Sequence, residues 1–315
     1  MAGCQLMLDS AQSIGVHLLC GFLGSGKTTL INAMIADGKI SDALFLINDF
    51  GSMNIDADLI ESREGGVIRL TNGCACCGLS GNLSSQLTQI SRWPRPPQWL
   101  VVEASGVAQP RPLMQLFNSA PGYYLADVKL LVDISAIGRL LEDATVGDLV
   151  RHQVAEAPAM VINRWEGLSR NECDARRNQL QALSPNAQIS WAAPPQPAVI
   201  THRGDCLGEA IVPELKPLVP GALVSFTLTL PGPVDISRLT QVLDAATSIL
   251  LRAKGFVASE ETPSGCLLLQ WTPSGSSVTR THRRHASALV LIGKGRDNLA
   301  YLASQLMEYS SMPSR

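Results

Sequence analysis

The chain has 315 residues, 46% of them hydrophobic and 17% charged, with a formal net charge of −2. At about 150 residues per domain that length predicts two domains, and the composition is too apolar and too weakly charged for a disordered chain. The near-neutral balance argues against nucleic acid as the main partner, and no run reaches the roughly 18 apolar residues that a membrane helix needs.

In chain order, short apolar runs at 16–20, 43–47, 67–70, 99–102, 128–132, 159–162 and 188–191 read as strands. Several are continuously apolar, as strands covered on both faces are. Helical patterns fall between most of them, at 28–36 and 170–183 for example. Such alternation predicts an α/β fold, a mostly parallel sheet with helices on both faces. A Pro-rich passage follows, with Pro194, Pro195, Pro197, Pro213, Pro217 and Pro220, and reads as a linker or an irregular edge. Beyond it the order becomes a strand at 224–230, a helix at 236–252, strands separated by turns, and a last helix at 297–309. This predicts domains at 1–214 and 222–315, the second a small α+β unit. Residues 1–214 hold 15 Lys/Arg and 21 Asp/Glu, net −6, whereas residues 215–315 hold 10 and 6, net +4. That split is either unrelated surface variation or a sign that the domains attract or that the second meets an acidic partner.

Gly21-Phe22-Leu23-Gly24-Ser25-Gly26-Lys27-Thr28 fits G-x-x-x-x-G-K-[ST], between an apolar strand and a helix. Glycines let backbone N–H groups turn inward around phosphates, and the helix N-terminus adds partial positive charge. Lys27 is expected on the β- and γ-phosphates and the Thr28 hydroxyl on Mg²⁺. Glu103 ends the run at 99–102 and is expected as the second Mg²⁺ or water-directing group. Gly106 is expected to offer its N–H to the γ-phosphate. Asp133, at the end of the next strand, reads equally well as structural. Asn163-Arg164-Trp165-Glu166 stands where a GTPase carries Asn-Lys-x-Asp, and Glu166 supplies the carboxylate acceptors for a guanine edge on a longer stem. No arginine is placed where it would reach a γ-phosphate, so slow intrinsic turnover is expected.

Of eight cysteines, Cys74, Cys76 and Cys77 fall within four positions. Three close thiols suit a thiolate-preferring ion such as Zn²⁺, Co²⁺ or Cu⁺. A buried apolar turn and a thiol–disulfide switch are the alternatives. Cys4, Cys20, Cys173, Cys206 and Cys266 read as packing or exposure. No charged segment followed by an apolar one opens the sequence, and the reading is a reducing cytoplasm.

In this order the motifs resemble the CobW-type metal-chaperone GTPases, related to the hydrogenase and urease nickel-insertion GTPases. The resemblance rests on residues 21–29, on Asn48-Asp49-Phe50-Gly51 with Ile55-Asp56, and on Gly73-Cys74-Ala75-Cys76-Cys77. Glu103-Ala104-Ser105-Gly106 with Pro110, and Arg252-Ala253-Lys254-Gly255-Phe256 in the small domain, extend it over nearly the whole chain. It implies a P-loop NTPase fold and GTP bound by Gly21, Gly24, Ser25, Gly26, Lys27, Thr28, Thr29, Gly106, Asn163 and Glu166. Lys27, Thr28, Asp56 and Glu103 would serve hydrolysis, with Asp56 a switch residue near Mg²⁺. Cys74, Cys76 and Cys77 would take Zn²⁺, or Co²⁺ or Ni²⁺, and a client metalloprotein would meet the C-terminal domain. A homodimer is one arrangement open to such a protein. The sequence departs from the family at the first switch, where Asn-Glu-Phe-Gly-Glu becomes Asn48-Asp49-Phe50-Gly51-Ser52, and at Asn-Lys-x-Asp. It lacks a His-rich tract, and Thr281-His282-Arg283-Arg284-His285 reads as a solvated hairpin or a basic contact surface. Three other classes fit parts of the pattern: a nucleotide-dependent redox switch, a P-loop small-molecule kinase, and a binding module with negligible hydrolysis.

Overall fold

The computed structural model describes residues 13–37, 42–47, 67–69, 79–192, 214–219, 222–259, 262–281 and 287–311. The first part of the chain runs β1 (Ile14–Cys20), α1 (Lys27–Ala36), β2 (Ala43–Ile47), β3 (Val67–Arg69), α2 (Leu79–Ile90), β4 (Trp99–Glu103) and α3 (Pro110–Ser119). It continues with β5 (Tyr123–Asp133), α4 (Ile134–Glu142), α5 (Gly147–Glu156), β6 (Ala159–Asn163), α6 (Arg170–Leu183) and β7 (Gln188–Trp191). The seven strands form one sheet in the order β3-β2-β4-β1-β5-β6-β7, with every pairing parallel. β1, β2 and β4 are buried almost throughout, which is why their sequences are continuously apolar. β5 begins five residues before the expected run at 128–132. Its first half alternates buried Tyr123 with exposed Tyr124 against β1, a half-solvated pattern that a search for continuous apolar runs passes over.

Helix starts are chemically marked. The Asp133 carboxylate accepts the N–H groups of Ser135 and Ala136 at the head of α4. Ser169 and Glu172 form a capping box on α6, and Pro110 opens α3, where a missing N–H costs nothing.

The second part comprises β8 (Glu214–Val219), β9 (Leu223–Thr229), α7 (Ile236–Ala245), β10 (Leu250–Ser259), β11 (Thr262–Thr272), β12 (Gly275–Thr281), β13 (Ala288–Lys294) and α8 (Arg296–Ser311). Its antiparallel sheet runs β12-β11-β10-β13-β9-β8. Pro217 lies exposed in the edge strand β8, a place where a missing ladder donor is tolerated. The Pro-rich stretch therefore contributes a strand as well as a connection.

The helix expected over 236–252 ends at Ala245, and residues from Leu250 onward form β10 instead. Leu250 continues the helical spacing by coincidence. It opens an interior strand paired on both sides, and those two ladders outweigh local periodicity. This change relocates Arg252 from a helix end to the middle of a sheet.

One face of the antiparallel sheet is covered by α7 and α8, with Leu239, Leu243, Trp271, Leu299, Leu302 and Leu306 in a common core. Leu218, Leu223, Leu251, Phe256 and Ile292 belong instead to the same buried cluster as β1, β4 and α4. The two sheets thus share a core, and an ion pair between Asp143 and Lys294 clasps its edge. Among the described residues no helix is long and apolar enough to cross a membrane.

Candidate functional site

β1 sits between β4 and β5, so the loop leaving it opens at the carboxyl edge of the sheet, with Glu103 at the end of the neighbouring strand. The loop, Gly21 to Gly26, leads directly into α1. Gly26 holds φ 93°, the left-handed region that favours glycine, and a Cβ there would stand 2.7 Å from Asn163 Nδ2. That amide donates to the Ser25 carbonyl at 2.6 Å and ties the loop to β6, more than a hundred residues away in sequence. Among the described residues, Ser25 Oγ and Asn163 Oδ1 are buried without a hydrogen-bond partner. Orphaned polar atoms at a loop of this kind fit a polar ligand that satisfies them.

The Lys27 ammonium is buried and donates to the carbonyls of Gly21 at 2.8 Å and Phe22 at 3.3 Å. Thr28 Oγ1 lies 3.2 and 3.3 Å from the two carboxylate oxygens of Glu103, which is 4% exposed. A hydroxyl and a carboxylate so close are hard oxygen donors of the kind Mg²⁺ takes, so the residues fit that ion. Gly24, Gly26, Lys27, Thr28, Thr29 and Glu103 line one cleft of about 340 Å³.

Other expected residues are placed differently. Gly106 packs against Leu23, its carbonyl held by Gln153 Nε2 at 3.2 Å, and it does not line the cleft. Glu166 is exposed on the loop after β6 and is likewise outside the cleft lining. Arg164 does line it, in a left-handed backbone conformation (φ 55°), with Nη1 2.9 Å from the buried Asp133 carboxylate. Asp133 thereby both caps α4 and aims Arg164, and Trp165 packs edge-on against Trp191.

Asp56, Cys74, Cys76 and Cys77 lie outside the described residues, as does the basic stretch His282-Arg283-Arg284-His285. Among the described residues no group of three or more His, Cys, Asp or Glu side chains is arranged to hold a metal. Among the described residues, Cys20, Cys173 and Cys266 are buried thiols. Burial pushes the Cys20 thiol up to about 12, overriding the opposing pull of Lys27, so this cysteine stays protonated beneath the loop.

The opposite wall of the cleft comes from the second sheet: Arg252 on β10, Gln270, Trp271 and Thr272 on β11, and Ser274 to Ser277 at the β11–β12 hairpin. The Thr272 methyl occupies the space that a Cβ at Gly24 (φ 77°) would enter, 2.6 Å from it. Sequence reasoning missed this wall. Its residues carry no nucleotide signature, and Arg252 had been read onto a helix.

Comparison with known proteins places the chain in a family. Residues 15–190 match the family model described as CobW/HypB/UreG, nucleotide-binding domain, and residues 223–308 match the cobalamin synthesis protein cobW C-terminal domain. Zinc chaperone YjiA of Escherichia coli is 28% identical over 277 residues, covering 81% of this chain and 85% of that protein. Zinc-regulated GTPase metalloprotein activator 1 of Dictyostelium discoideum is 23% identical over 322 residues, covering 85% and 67%. Zinc chaperone CobW of a Sinorhizobium species is 31% identical over 141 residues, which span 42% of this chain and 38% of that protein. The crystal structure of Zn(II)-bound YjiA GTPase from E. coli covers 94% of this chain and 99% of its own, at 21% identity and a TM-score of 0.44. With the family model spanning more than half its length and the C-terminal model most of the rest, this chain belongs to the CobW/HypB/UreG family and carries the CobW C-terminal domain.

Proposed function

We propose that this protein is a GTP-hydrolysing metal chaperone or metalloenzyme activator that couples metal transfer to the nucleotide on its phosphate loop. The observation that carries the GTPase half is the Thr28 hydroxyl lying on the buried Glu103 carboxylate, beside Lys27 and in the same cleft. On this reading the loop N–H groups and Lys27 hold the β- and γ-phosphates, exchanging the Gly21 and Phe22 carbonyls for phosphate oxygens. Thr28 and Glu103 would hold Mg²⁺, which when bound neutralises charge on the phosphates. Glu103 also orients the attacking water, while Asn163 keeps the loop in register through Ser25. Asp56 would sense the γ-phosphate. Arg164, aimed by Asp133, covers the base, and Glu166 would reach the guanine edge from its exposed loop.

The cargo half rests on Cys74, Cys76 and Cys77, which precede α2 in the sequence. Three thiolates leave a fourth coordination position for a ligand from the recipient, the arrangement that delivery requires and a closed structural site lacks. The relatives' names speak of zinc, so Zn²⁺ is the first cargo assigned, with Co²⁺ and Ni²⁺ as competitors. The recipient would be a metalloprotein that meets the C-terminal domain, whose net +4 over residues 215–315 suits an acidic surface. Co-titration tests the coupling: Zn²⁺ affinity should differ at least about five-fold between a GTP analogue and GDP. Equal affinities, or Zn²⁺ binding unchanged in Cys76→Ser, would remove metal transfer from the function.

A further inference from the structure

We infer that Arg252, carried by the second domain, is a catalytic residue for nucleotide hydrolysis on the phosphate loop of the first. The inference rests on the GTPase reading above. Arg252 lines the cleft together with Lys27, Thr28 and Glu103. Its backbone is firmly placed, because β10 is an interior strand: Arg252 pairs with Ile292 of β13, and the next residue, Ala253, pairs with Trp271 of β11. By the two-residue repeat of a strand, Arg252 shares its sheet face with Phe256, and Phe256 belongs to the core common to both domains. That face is therefore turned toward the first domain. The β11–β12 hairpin fixes the approach, with the Thr272 methyl seated against Gly24 of the loop itself. Among the described residues Arg164 also lines the cleft and is tied on its own side by Asp133, so guanidinium groups reach the cleft from both sheets.

In hydrolysis the water oxygen forms a bond to the γ-phosphorus and the bond from that phosphorus to the β–γ bridging oxygen breaks. The electron pair stays on the β-phosphate of GDP, and the proton of the water leaves with inorganic phosphate. Charge builds on the bridging and γ-oxygens during this step. A guanidinium is protonated at every working pH, and its planar N–H fork matches two phosphate oxygens. Arg252 thus acts in cis where sequence alone placed no arginine, and the second domain becomes part of the nucleotide site.

The test uses the full chain with Arg252→Ala, Arg252→Lys, Lys27→Ala and, as a control, Arg280→Ala, an exposed residue of β12 outside the cleft lining. Single-turnover GTP hydrolysis, fluorescent GDP affinity and trapping of GDP by aluminium fluoride with Mg²⁺ are measured. Arg252→Ala should lose at least about 100-fold in rate and lose fluoride trapping, while GDP affinity stays within about three-fold. Arg252→Lys keeps the charge but not the fork and should lose about ten-fold. Hydrolysis and trapping at wild-type levels in Arg252→Ala, with Lys27→Ala inactive, would overturn the role of Arg252 and leave the GTPase reading intact. Should Arg252→Ala fail to fold, wild-type hydrolysis and trapping in Arg252→Lys would overturn it equally. If the wild-type protein neither binds nor hydrolyses GTP, the GTPase reading falls and this inference falls with it.

Discussion

Substituting Gly26 tests how the phosphate loop is held. Alanine there must adopt φ near 93° and pushes its methyl to 2.7 Å from Asn163 Nδ2. The left-handed backbone costs about 1–2 kcal/mol for a residue with a Cβ. Displacing the Asn163 amide from the Ser25 carbonyl removes a hydrogen bond worth about 1 kcal/mol, so Gly26→Ala should destabilise by about 2–3 kcal/mol. Asn163→Ala deletes the same bond and should cost about 1 kcal/mol. In the double variant the methyl meets no amide, and only the backbone strain and the one lost bond remain. The double variant should therefore cost about 2–3 kcal/mol instead of the 3–4 that independent sites would give, a coupling of about 1 kcal/mol. Urea denaturation of all four proteins without nucleotide, followed by far-UV circular dichroism, measures this cycle. Additive costs, with coupling below about 0.3 kcal/mol, would refute the idea that Gly26 is required by its approach to Asn163.

Thr28→Val keeps the helix and removes the hydroxyl that lies on Glu103. Chelating Mg²⁺ should weaken GTP binding by at least about ten-fold in the wild-type protein and much less in the variant, and an unchanged chelator response would separate Thr28 from the ion. Burial opposes ionisation of Asp143, but the Lys294 ammonium and the N–H groups of Thr145 and Val146 outweigh it and hold its carboxyl below the ordinary value of 3.8. A lowered folded value means that its stabilisation is complete above about pH 4 and is lost as pH falls through the depressed value. Asp143→Asn should thus cost about 1–2 kcal/mol at pH 7 and progressively less as pH falls below about 4, read from urea midpoints; a cost that does not change with pH would point to packing, not charge. Cys20, held protonated by burial, should resist iodoacetamide at pH 8 in the folded protein, and its rapid alkylation in peptide mapping would place it at the surface.

The parallel sheet was legible because each of its buried strands is apolar over four or five residues, and the loop was legible because its chemistry admits few residue types. Glu103 could be found from the strand it ends. Asn163 was expected among the nucleotide-binding residues, and its amide donates to the Ser25 carbonyl, a contact that only the spatial neighbourhood of β1 and β6 discloses. Arg252 was hidden for a different reason. The residues before it keep a 3.6-residue spacing up to Leu250, and only two neighbouring strands, distant in sequence, turn that segment into β10. Apart from Arg252 and Trp271, the second wall of the cleft is serine, threonine, glutamine and glycine, and none of these types signals a site without its placement.

Because the cleft is lined from both sheets, a nucleotide held there would lie along the seam between them. Its exchange would then depend on the contact of the hairpin with Gly24 as well as on the phosphate loop. A protein that grips the outer strands β12 or β8 need never touch the phosphate loop to hasten or delay release. The domain proposed to meet the recipient would then also bear on the nucleotide.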